Sequence, residues 1–85
     1  MAYAVELKAP AVRDLAALPR VDQQRIRARI DALAENPRPP GCKKLAGADS
    51  LYRIRVGMYR VVYSIEDARL VVLITRIGHR REVYR

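Results

Sequence analysis

Residues 50–65 read SLYRIRVGMYRVVYSI, and their pattern decides the fold. Strand side chains alternate between faces, so Tyr52, Ile54 and Val56 share one side while Leu51, Arg53 and Arg55 share the other. Beyond Gly57 the alternation resumes, with Tyr59, Val61, Tyr63 and Ile65 on one face and Arg60, Val62 and Ser64 on the opposite one. Gly57 and Met58 suit a two-residue turn, with glycine at the first central position as a type II′ turn prefers. That register sets Val56 against Tyr59 and Arg55 against Arg60. Two like charges directly opposite are mildly destabilising, so the side chains either splay into water or hold an anion between them.

The flanking sequence supplies partners for the apolar face. AYAVELK alternates Tyr3, Val5 and Leu7 with small or charged residues and predicts a first strand that Pro10 stops. Pro10 also suits a first helical turn, and Val12, Leu15 and Leu18 predict a short amphipathic helix over 10–18, closed by Pro19. A longer helix over 22–35 places Ile26, Ile30 and Leu33 on one face, expected in the core, with Asp22 near its positive end and Arg25, Arg27 and Arg29 on a solvated face. NPRPPGCKKLAGAD, residues 36–49, holds three prolines and two glycines and reads as a loop. A turn at Asp67 and Ala68 leads to a last strand over 69–77, RLVVLITRI, with Leu70, Val72 and Ile74 continuing the core face. The expected fold is α+β: an N-terminal strand, a two-helix hairpin and a three-strand antiparallel meander, with the helices on one face of the sheet. The arginines then collect on the face that no helix covers, with Thr75 and the tail beside them.

Eighty-five residues make one domain, and 51% hydrophobic against 31% charged residues reads as globular rather than disordered. No apolar run approaches the roughly 20 residues of a membrane span, and Glu6 sits where a secretory signal would be basic, so the expected location is the cytoplasm. One cysteine, Cys42, excludes an internal disulfide, and with a single histidine, His79, a Cys/His zinc site within one chain is not expected; nor is a cofactor. The net charge of +8 is uneven. Residues 1–40 carry seven basic and five acidic groups, residues 41–85 ten and four. A basic half of this kind is the footprint of a polyanion binder, nucleic acid first and acidic protein second.

KKLAGADSLYRIRVGMYRVVYSIEDARLVVLITRIGHRREVY resembles the RelE/ParE toxin superfamily of bacterial toxin–antitoxin systems, over essentially the whole chain. The resemblance rests on Leu45 and Gly47, on Tyr52 to Gly57, on Tyr59 to Tyr63, and on the closing Gly78 to Tyr84. It implies a toxin silenced by a cognate antitoxin in a hetero-oligomer. In a RelE-like branch it implies a metal-independent nuclease that enters the ribosome and cleaves the mRNA displayed there; in a ParE-like branch, a gyrase inhibitor. A third possibility is an inactive basic module that only binds antitoxin. The resemblance matches Arg53, Arg55, Arg60, Arg80 and Tyr84 to the RelE-like site and so favours the nuclease. The strand positions are lysine in the best-known RelE pattern, and the shorter tail leaves Arg80 and Arg81 as alternatives.

Cleavage without a metal would use the RNA's own 2′-hydroxyl, which must be deprotonated while charge grows on the phosphate. Guanidiniums suit the phosphate, being planar, permanently charged and able to donate two parallel hydrogen bonds. With a pKa above about 12 they are poor bases. Arg60 with Arg80 or Arg81 is therefore read as stabilising the transition state, and Arg53, Arg55, Lys43 and Lys44 as binding phosphate. The base is Tyr84, ordinarily near about 10 but lowered by neighbouring cations, or His79, near about 6.5.

Overall fold

The computed structural model describes residues 2–45 and 51–79. The elements are β1 (Ala4–Leu7), α1 (Ala9–Ala16), α2 (Arg20–Ala32), β2 (Lys43–Lys44), β3 (Leu51–Val56), β4 (Tyr59–Glu66) and β5 (Val71–His79), with a 3-10 turn at Asp67–Arg69 before β5. They form one five-stranded sheet in the order β1-β5-β4-β3-β2. The β3-β4-β5 meander is antiparallel, as its short connections require, and the α+β layering follows the sequence. Two strands enlarge the expected sheet. β1 pairs in parallel with β5, Ala4 opposite Val71 through Leu7 opposite Ile74. The Lys43–Lys44 pair, inside the segment read as loop, adds to the β3 edge opposite Arg53 and Tyr52.

One face of the sheet holds the core. Ile54, Val61, Tyr63, Val72 and Ile74 are almost fully buried with Ile26, Ile30 and Leu33 of the α2 region, as the helical spacing predicts. α1 turns differently from the expectation, because its buried residues are Ala11 and Leu15 while Val12 is half exposed. Ala11 and Leu15 are four apart and share a face, and the small alanine lets α1 lie close to β5. Pro10 falls in the first turn, where its missing N–H costs nothing, and the Gln23 amide donates to the carbonyl of Ala16, the last residue of α1, at 3.4 Å and to that of Leu18 just beyond it at 2.8 Å.

Val56 opposes Tyr59 across the β3–β4 turn, and Gly57 has φ +60 with no positive φ at Met58, as a type II′ turn demands. The second connection departs from expectation. Leu70 takes left-handed backbone, φ 55 and ψ 49, at the end of the 3-10 turn instead of starting the strand's core face, and its carbonyl accepts the Ala4 N–H at 2.8 Å.

A bulge in β5 decides which residues flank Arg60. Tyr63 opposes Ile74 and Val62 opposes Arg76, so Thr75 is the extra residue, its hydroxyl donating to the Val62 carbonyl at 3.0 Å. One inserted residue swaps the faces of everything after it. Ile77 thereby enters the core at 2% exposure, and Gly78 rather than a side chain lies beside Arg60.

Candidate nucleic-acid interface

The basic site is assembled by register. Arg55 opposes Arg60, and Gly78 of β5 flanks Arg60 on its other side. Val56 and Tyr59 close the turn as a hydrogen-bonded pair, so the next pair down, Arg55 and Arg60, is the non-hydrogen-bonded kind with Cα atoms about 4.5 Å apart. Two arginines so placed can address one phosphate together, and the position flanking Arg60 on β5 carries no side chain. Arg55 is exposed and Arg60 half-buried.

Arg53 lies on the same face, opposite Val62 and Lys43, yet is only 6% exposed. Its Nη1 donates to the Gly41 carbonyl at 3.5 Å, so it ties the proline-rich loop to β3 instead of standing in solvent beside Arg55. Lys43 and Lys44 are exposed on the two-residue edge strand. Lys43 shares the Arg53 face, while Lys44 pairs with Tyr52 and points the other way.

His79 is placed on the opposite face of the sheet from Arg55 and Arg60. The bulge sets it opposite Tyr59, on the helix-facing side of the sheet, with the two rings edge-on at 6.2 Å. The Tyr59 hydroxyl donates to the Asp22 carboxylate at 3.1 Å, and burial first, then that carboxylate, raises the tyrosine pKa. Arg80, Arg81 and Tyr84, and Gly47 of the Leu-x-Gly motif, lie outside the described residues.

At the far end of the sheet a clasp holds the loop. Arg38 donates twice to Asp67, at 2.9 and 3.2 Å, lies 5.2 Å over the Tyr52 ring, and donates through Nε to the Tyr52 hydroxyl at 3.4 Å. The Tyr3 hydroxyl donates to the same carboxylate at 2.6 Å, and the buried Tyr63 hydroxyl donates to the Pro37 carbonyl at 2.8 Å. Arg38 and then Tyr3 hold the Asp67 carboxyl at about 2. Burial chiefly raises the Tyr63 phenol. Loop 36–42 is thus pinned at both ends, and Arg53 meets a fixed carbonyl. Sequence reading missed this clasp because Tyr3, Arg38 and Asp67 are far apart along the chain.

A cavity of about 110 Å³ between β1 and the helices, lined by Val5, Leu7, Leu15, Arg27, Ile30 and Asp31, opens on the opposite side from these arginines. The arginine site is a surface, suited to an extended polyanion. Among the described residues no cluster of His, Cys, Asp and Glu could hold a metal ion, and no helix is long and apolar enough to cross a membrane.

A family model described as the ParE toxin of type II toxin–antitoxin systems, parDE, matches residues 5–84. The chain belongs to this toxin family. Toxin RelG of Mycobacterium tuberculosis is 35% identical to it over 89 residues, covering all of this chain and 99% of RelG. The RelE1 protein of Methanocaldococcus jannaschii is 31% identical over 88 residues, covering all of this chain and 98% of its own. Among solved structures, the archaeal RelE–RelB complex of Pyrococcus horikoshii matches with a TM-score of 0.84 at 32% identity, covering 98% of this chain and 100% of that one. Similarity to RelE proteins therefore spans both the meander and the helices, at full length.

Proposed function

We propose that this toxin is a metal-independent endoribonuclease that cleaves mRNA on the ribosome and blocks translation. The observation that carries the reading is the register that sets Arg55 opposite Arg60, with Gly78 on the other flank of Arg60, on the sheet face away from the helices. Full-length similarity to RelE proteins supports the nuclease branch over gyrase poisoning.

In this reading the RNA 2′-oxygen attacks the adjacent phosphorus and the downstream 5′-oxygen leaves, giving a cyclic phosphate end. The 2′-hydroxyl proton passes to a base, and the leaving oxygen takes up a proton. Arg60 stabilises the charge that grows on the phosphate oxygens, joined by Arg80 or Arg81 from the tail. Arg55 binds and orients the phosphate, with Lys43 along its approach. Arg53 positions the loop rather than contacting substrate. His79 is on the wrong side of the sheet to share a phosphate with Arg60, which favours Tyr84 as base. One solved structure similar to this chain is a RelE–RelB complex. We extend that arrangement to this chain, in the cytoplasm: an antitoxin whose carboxylates cover the arginine face.

Primer extension across a defined mRNA, with and without bacterial ribosomes, tests the reading. Wild-type protein should give new stops only with ribosomes, and Arg60→Ala should cut the rate by about 10²-fold or more. Undiminished cleavage by Arg60→Ala removes its role. Toxicity with DNA damage and intact mRNA would transfer the function to gyrase.

A further inference from the structure

The Arg25 guanidinium reaches from α2 across the tip of the β3–β4 hairpin. Its Nη2 and Nη1 lie 3.5 and 3.7 Å from where a Cβ on Gly57 would stand. The turn is therefore met by Arg25 on the helix side and by the Arg55–Arg60 pair one step below it on the open face. Arg29 follows Arg25 by four residues, on the same flank of α2, and both are exposed. Among the described residues, Arg25, Arg29 and Arg55 have no carboxylate partner. Like charges around one turn repel each other, and like charges four apart also weaken a helix; the carboxylate described near this turn is Asp22, and it accepts the Tyr59 hydroxyl. Of the other described arginines, Arg38, Arg69 and Arg76 each hold a carboxylate, while Arg20, on another side of α2, has no such pair among the described residues but lies away from the turn. Gly57 puts no side chain between Arg25 and the edge of the open face.

We infer that the hairpin tip is a second contact for the RNA backbone, with Arg25 and Arg29 binding phosphates of the strand whose scissile phosphate lies at Arg55 and Arg60. The strand bends round Gly57 from one face of the protein to the other. Arginine suits this use because its fork binds phosphate oxygens bidentately. The inference rests on the nucleic-acid reading of the open face, and it assigns a binding role, not a chemical one, to the helix.

The test measures the affinity of the full chain for a fluorescent single-stranded RNA at several salt concentrations. The variants are Arg25→Glu, the milder Arg25→Gln, and Arg20→Glu, which makes the same charge change about 140° around α2. Arg25→Glu should weaken binding about tenfold and flatten the salt dependence by roughly 0.7 per lost phosphate contact. Arg25→Gln should show part of both effects, and Arg20→Glu neither. Equal losses in Arg20→Glu and Arg25→Glu would reduce the effect to net charge and overturn the inference. Unchanged RNA binding would overturn it too, and if Arg25→Glu instead released only the acidic antitoxin, the tip would be a protein contact. Primer extension on ribosomes in parallel separates the two readings. Absent cleavage with an Arg25-specific loss of RNA binding sinks the nuclease and leaves the tip contact standing.

Discussion

The Asp14 carboxylate on α1 accepts a hydrogen bond from the Ile77 backbone N–H at 2.9 Å, on the stretch of β5 that β1 no longer covers. β1 ends at Leu7, so without Asp14 that N–H would face the apolar underside of α1. Arg76 donates to the same carboxylate at 2.8 and 3.3 Å. Burial works against the ionised form, but these donors outweigh it and hold the Asp14 pKa below its ordinary value.

Asp14→Ala should therefore destabilise the fold by about 1 kcal/mol or somewhat more, the cost of leaving a part-buried donor without its acceptor. Asp14→Asn, which keeps an acceptor oxygen, should lose less. Arg76 is largely exposed, and solvent screens its half of the pair, so Arg76→Ala should cost least of the three. Urea unfolding of the variants checks this order, and a larger loss for Arg76→Ala would make the ion pair rather than the edge bond the stabilising contact.

The two arginines of β3 should separate cleanly. Arg53 is buried against the Gly41 carbonyl while Arg55 is exposed, although they share a face and are two residues apart. Arg53→Ala should cost about 1–3 kcal/mol of stability by freeing the loop and leaving a cavity. Arg55→Ala should change stability by less than about 0.5 kcal/mol but weaken RNA binding and its salt dependence. Thermal unfolding and RNA titration of both proteins decide the matter, and a stable Arg53→Ala that binds RNA poorly would return Arg53 to the binding surface.

What the sequence made legible was whatever depends on local period. The meander, its turn and the buried faces of β3, β4 and α2 follow from alternation and from the three- and four-residue spacing of Ile26, Ile30 and Leu33. The bulge at Thr75 does not, because the next residues, Arg76 and Ile77, would be acceptable on either side of a two-faced strand. That single slip moved Ile77 into the core and put His79 behind the sheet. Arg53 was likewise hidden from sequence reading, since charge predicts exposure and only the folded loop supplies the carbonyl that lets a guanidinium be buried. Lys43 and Lys44 make too short a strand to show any period.

The Arg38–Asp67 clasp predicts a pH dependence. Asp67 has a folded pKa of about 2 against an ordinary 3.8, so its ionised form stabilises the fold at every pH above its unfolded value. That contribution falls away as pH drops from about 4 to about 2. The stability difference between wild type and Asp67→Asn should be constant from about pH 5 to 7 and shrink below about pH 4. Because both side chains are near half exposed, added salt should reduce it. A difference that persists unchanged to about pH 2 would mean that the substituted amide fails for steric reasons and that charge plays no part.

Gly57 should be the least replaceable residue of the hairpin. At φ +60 an L side chain is strained, and a Cβ there would meet Arg25 only at ordinary contact distance, so the cost of Gly57→Ala is in the backbone, about 1–2 kcal/mol. Met58, the other central residue, is half exposed at ordinary φ, and Met58→Ala should stay within about 0.5 kcal/mol. Strain at Gly57 is relieved most easily by twisting the turn, which shifts Arg55 against Arg60 one step away. Gly57→Ala should then lose cleavage out of proportion to its loss of stability, because a misplaced charge pair no longer matches the phosphate. Comparing single-turnover cleavage with denaturant unfolding for both variants tests this. If Gly57→Ala cleaves like Met58→Ala at equal folded fraction, the geometry of the turn does not set the geometry of the site.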